Sequence, residues 1–125
     1  MAGYSGTGSQ VLDDIVEVIG EEAAFALAGE FMGERVYVPK DPNVEPRIAA
    51  AIGEEAARKF SDAFWRSYIP FPSKVVIERR VMQLAAEGVG KREIARRLKI
   101  RQARVFAILA RQRDAENNRD QLSLL

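Results

Sequence analysis

The 125-residue sequence contains no cysteine and no histidine. Those absences remove disulfides, thiolate nucleophiles, imidazole acid–base catalysis and the usual zinc ligands together. Missing as well is any apolar run of the roughly 18 residues that a membrane-spanning helix requires. The opening Met-Ala-Gly-Tyr-Ser-Gly-Thr-Gly-Ser has neither the basic nor the apolar region of a signal peptide. A cytoplasmic, non-enzymatic protein without a cofactor is expected. Net charge is also nearly absent, at +1.

That near-zero sum hides a division along the chain. Residues 1–73 carry six basic and twelve acidic side chains, residues 74–113 twelve basic and three acidic, and residues 114–125 one basic and three acidic. The middle block, at +9, can neutralise phosphates and release their counterions, the source of sequence-independent DNA affinity. The alternative is a merely solvated basic face. The acidic first block would be repelled by the same polyanion, so the two halves have different tasks.

The first block repeats itself at a period of 33 residues: Val11, Ile15, Ile19, Gly20, Glu21, Glu22, Ala23, Ala24 and Phe31 recur as Val44, Ile48, Ile52, Gly53, Glu54, Glu55, Ala56, Ala57 and Phe64. With a two-residue gap, Tyr37-Val38-Pro39 then matches Tyr68-Ile69-Pro70. Each repeat reads as a short helix stopped at glycine and a second helix opened by two glutamates, which suit the positive end of its dipole. A short strand, Arg35–Val38 or Ser67–Ile69, follows and ends at proline. Position in a first turn explains the glutamates without catalysis. Strands this short need a partner, either each other or the same segment of a second subunit. The faces around Phe25, Leu27, Phe31, Phe60, Phe64 and Trp65 carry more aromatic surface than about 60 residues bury with ease. These features predict a dimerisation domain over 11–72, with Phe31, Val36, Tyr37, Val38, Phe64 and Trp65 at its interface. The other reading is a self-contained helical core.

After Pro70-Phe71-Pro72, three helical patterns follow. Ser73 can cap the first, whose Ile77, Val81, Leu84 and Ala85 share a face, and Gly88 ends it. Gly90 and Glu93 open the second as half of a capping box, with Ile94, Ala95 and Leu98 inward. A turn around Lys99, anchored by Ile100, leads to a third with Val105, Ile108 and Leu109 inward. The pattern is that of a helix-turn-helix over 73–113. The small Ala95 allows a close crossing, and Lys99 stands where such turns usually hold glycine. Docked as such motifs dock, the third helix enters the major groove, so Arg101, Gln102 and Arg104 are candidates for reading base edges. Lys91, Arg92, Arg96, Arg97 and Lys99 fall to the DNA backbone. Phe106 either touches a thymine methyl or completes the core.

The arrangement resembles the Mor transcription activator family, named for the middle-operon regulator of phage Mu. The resemblance spans residues 11–113 and rests on Ile19-Gly20-Glu21-Glu22-Ala23-Ala24, Val36-Tyr37-Val38-Pro39, Ile52-Gly53-Glu54-Glu55-Ala56-Ala57 and Lys91-Arg92-Glu93-Ile94-Ala95-Arg96-Arg97-Leu98. It implies a phage or prophage homodimer joined through its N-terminal region by strands pairing between subunits. It further implies an activator that binds double-stranded DNA and contacts RNA polymerase.

The polar segment 114–120 reads as part of a flexible tail, 114–125, and the Gly/Ser-rich residues 1–10 as disordered. The chain ends on Gln121-Leu122-Ser123-Leu124-Leu125, similar to the short peptides that dock on the bacterial replication sliding clamp. Clamp docking is therefore a rival expectation to transcription activation; the bland alternative is that these leucines cap the helical core or fray. The fold class expected is mainly α: an N-terminal helical dimerisation domain with short β-strands, then a C-terminal helix-turn-helix.

Overall fold

A computed structural model describes residues 6–123 of the chain, excluding the side chains of the last two of these. The fold is mainly helical with one small antiparallel sheet. The chain divides into two compact units, Met1–Val76 and Ile77–Leu125, and the division falls inside a helix. Among the described residues no helix is long and apolar enough to cross a membrane.

The first unit contains α1 (Gln10–Ile19), α2 (Glu21–Glu30), β1 (Arg35–Tyr37), α3 (Pro46–Ile52), α4 (Glu54–Phe64) and β2 (Tyr68–Pro70). A short 3-10 turn, Pro42–Val44, leads into α3. Order begins earlier than the glycine- and serine-rich composition suggests. Ser9 caps α1, and Thr7 donates to the Asp13 carboxylate through its N–H at 2.7 Å and its hydroxyl at 2.8 Å. Local hydrogen bonds thus offset the entropy of fixing residues 7–10. Residues 1–5 lie outside the described residues.

One glycine serves two helices in each repeat. Gly20 donates to the Val16 carbonyl at the end of α1 and accepts from Ala24 N–H at the start of α2. Gly53 does the same between Ala49 and Ala57. Their dihedrals nearly coincide, φ 89°, ψ 163° and φ 85°, ψ 164°. That region of backbone space is essentially reserved for glycine. Further along, Gly33 and its repeat counterpart Arg66 share a positive φ of 78° and 70°.

Leu12, Ile15, Ala24, Leu27, Ala28, Ile48, Ala57, Phe60 and Val38 are fully buried in one core. Phe31 stacks on Phe71 with ring centroids 5.4 Å apart. The strands pair with each other: Arg35 lies opposite Pro70, Val36 opposite Ile69, and Tyr37 opposite Tyr68. Each strand thus has a partner within the chain. Phe31, Val36 and Val38, expected at a subunit interface, are at most 8% exposed and already spend their surface inside this core. Phe64 is partly buried against it. Of the expected interface set, only Tyr37 and Trp65 are largely exposed.

The second unit takes in most of α5 (Lys74–Ala86), α6 (Lys91–Leu98) and α7 (Gln102–Ser123). Its core is Val81, Ile94, Ala95, Val105 and Ile108, with Ile77, Leu84, Ala85, Leu98, Ile100 and Leu109 packed on it. These are the side chains that the helical spacing turns inward. Residues 114–123, read from sequence as part of a flexible tail, instead continue α7. The segment holds no proline or glycine, and the Gln112 amide bonds Glu116 one turn on at 3.2 Å, an exposed i, i+4 pair.

Candidate nucleic-acid interface

The basic residues assigned from sequence to DNA are placed by α6, the start of α7 and the turn between them. α6 begins at Gly90, whose backbone is extended and whose carbonyl receives Ile94 N–H at 2.9 Å. Its end is set by Lys99 in the left-handed conformation, φ 56°, ψ 45°. The N–H groups of Lys99 and Ile100 both donate to the Ala95 carbonyl, closing the helix. Lysine therefore adopts the conformation that glycine adopts more cheaply, at a cost on the order of 1 kcal/mol. Arg101 follows, its carbonyl accepting from Arg104 and Val105, so α7 starts with Arg101 at its rim.

Arg101, Gln102 and Arg104 are all exposed at this end of α7, while Val105 behind them is fully buried. Among the described residues neither arginine has an ion-pair partner. The N-terminus of α7 adds its own partial positive charge, so the corner is suited to an anion. Lys91, Arg92 and Lys99 are exposed on α6 and the turn.

Arg96 and Arg97, assigned from sequence to the DNA backbone, are engaged within α6. Both reach Glu93, at 2.6 Å and 2.9 Å. The hydrogen bonds from Arg96 and then Arg97 hold the Glu93 carboxyl below its ordinary range. Glu93 thus turns toward these guanidiniums, where the capping-box reading directed it to Gly90. All three side chains are solvent-exposed to a third or more, so the pairs are weak and a phosphate can compete for the arginines.

Phe106, one of whose readings placed it in the core, is 49% exposed. The Lys91 ammonium sits 4.7 Å from the centre of its ring. Core positions on α7 are taken by Val105 and Ile108, which leaves Phe106 on the outer face under a cation. Only three-dimensional proximity joins this pair, 15 positions apart in sequence.

Further cations, which composition did not single out, stack on aromatic rings on the first unit's sheet and beside the end of α4. Tyr37 and Tyr68 meet edge-to-face at 5.2 Å, and Arg35 covers Tyr68 at 4.8 Å. Lys40 and Arg66 both approach the Trp65 ring, at 5.3 Å and 4.6 Å from its centre. At the far end of the chain, Gln121 is exposed in the last turn of α7. The remaining clamp-peptide positions fall outside what is described: the side chains of Leu122 and Ser123, and all of Leu124 and Leu125.

The chain matches no protein-family model, no curated protein and no solved structure.

Proposed function

We propose that the protein is a sequence-specific, double-stranded-DNA-binding regulator of transcription whose second unit works as a helix-turn-helix. The observation that carries this reading is the corner at the start of α7. Three side chains able to grip base edges, Arg101, Gln102 and Arg104, stand exposed beside Lys91, Arg92 and Lys99 on a firmly packed support. α7 supplies the base contacts and α6 the phosphate contacts, and the close α6–α7 crossing is supported by the small, buried Ala95. Activation in the manner of the Mor family, with contact to RNA polymerase, extends this reading on the strength of the sequence resemblance.

The test is binding of the full chain to labelled duplexes over a series of salt concentrations. If all five backbone cations contact phosphate, the logarithm of affinity falls with that of salt with a slope of about −4 to −5. Arg101→Ala and Arg104→Ala each weaken a preferred site by about 1–3 kcal/mol, from roughly fivefold to more than a hundredfold, and flatten the preference among sequences. A salt-independent affinity, or full site preference in the double variant, overturns the proposal.

A further inference from the structure

The first unit has the internal symmetry of a two-chain assembly inside one chain. Buried positions of the two repeats coincide: Ile15 with Ile48, Ala24 with Ala57, Leu27 with Phe60, and Ala28 with Ser61, all at 0% exposure. So do the unusual backbone positions, Gly20 with Gly53 and Gly33 with Arg66. Packing is reciprocal: α1 rests on α4 and α2 on α3, so exchanging the repeats returns the same arrangement. The strand register obeys the same exchange. Tyr37 and Tyr68, equivalent in the repeat, face each other directly. Antiparallel pairing in which a residue meets its own counterpart is the mark of a two-fold, isologous interface.

The two repeats continue differently. After β1 the chain passes through Lys40-Asp41-Pro42 into the second repeat, whereas after β2 it enters α5 and the basic unit. One symmetric acidic unit therefore carries a single basic unit.

We infer that the repeats are a covalent pseudo-dimer, so that the protein acts as one chain and reads a single, non-palindromic half-site. The half-site clause rests on the DNA-binding proposal; the single-chain clause does not. Three observations carry the latter. The self-complementary strands are paired in cis, with Val38 N–H also bonding the Ser67 carbonyl at 2.9 Å. Glu30 and Glu34 of the first repeat meet Arg47 of the second at 3.0 Å and 2.9 Å, exposed ion pairs that add modestly to the packing of one repeat on the other. Among the described residues of the first unit, two of the exposed aromatic rings already carry cations of the same chain, Arg35 on Tyr68 and both Lys40 and Arg66 on Trp65. A second copy docking on these rings would have to displace those cations or bring its own like charges close to them, which opposes association there.

Two measurements on the full chain decide the matter. Light scattering over a hundredfold range of protein concentration gives the 13.9 kDa of one chain throughout; a particle of twice that mass overturns the single-chain clause. Selection from a randomised duplex library then enriches one motif shorter than about a helical turn, with one chain bound per duplex at saturation. Enrichment of an inverted repeat holding two chains overturns the half-site clause. One-chain mass with no duplex binding refutes the DNA-binding proposal and the half-site clause with it, while upholding the pseudo-dimer.

Discussion

In the acidic unit the core is made by two copies of one pattern that cover each other. In the basic unit it is made by three unlike helices, each contributing one face. The first solution depends on symmetry and on backbone positions with little tolerance, since Gly20 and Gly53 must each end one helix and begin another. The second depends on ordinary helical spacing and leaves its outer surface free to carry charge. Charge placement follows the same division. The acidic unit uses Arg47 to join its repeats, and the Arg47 guanidinium holds the Glu34 carboxyl below its usual range. The basic unit leaves Arg101 and Arg104 open to solvent at a helix end. A closed scaffold and an open cationic surface are thus separated along one chain.

The sharpest way to break this comparison is the paired glycines. Gly20→Ala and Gly53→Ala meet open space, so the loss is backbone strain alone, about 1–3 kcal/mol each. Denaturant unfolding should report similar losses for the two. A large loss at one and none at the other would show that the repeats are not equivalent in solution.

The corresponding change in the basic unit runs the other way. Lys99→Gly relieves a left-handed lysine and should stabilise by about 0.5–1 kcal/mol, less than the glycine losses because the unfolded chain also gains freedom. On the DNA-binding proposal it also removes one phosphate contact, which reduces the salt slope by about 0.9. Thermal unfolding and a salt titration read these two effects separately.

Ser61 sharpens the symmetry from within. Its hydroxyl is buried and has no hydrogen-bond partner among the described residues, at the position where the first repeat has Ala28. Ser61→Ala should stabilise by about 0.5 kcal/mol or somewhat more, measured by denaturant midpoint. A loss of stability would mean that the hydroxyl is satisfied in solution and that the repeats differ there.

The smallest effect is that of acid on α6. Hydrogen bonds from Arg96 and Arg97 lower the folded-state pKa of Glu93. Its contribution is therefore complete above the ordinary carboxylate value of 4.5 and is lost as pH falls through the lowered one. Wild type and Glu93→Gln should differ in melting temperature near neutrality and converge in strong acid. In the same variant the two arginines are released, and on the DNA-binding proposal duplex affinity rises a few-fold. Unchanged affinity would show that Glu93 does not compete with phosphate.

Much of this is legible in the amino-acid sequence by itself. The 33-residue period locates both helix pairs and their shared glycines, and after a two-residue gap the strands, because identical local patterns favour identical local backbones. In the basic unit, spacing identifies Ile94, Ala95, Val105 and Ile108 as inward, because a helix period fixes which side chains share a face. Charge partition separates the two units without reference to shape. Only tertiary structure decided what those pieces do to one another. It paired the two strands in cis, where a linked partner has a high effective concentration that a second subunit lacks. It buried Phe31, Val36 and Val38 within one chain and set Phe106 under Lys91. Each of these outcomes depends on which groups come within a few ångströms across the fold, and periodicity along a chain carries no information about that distance.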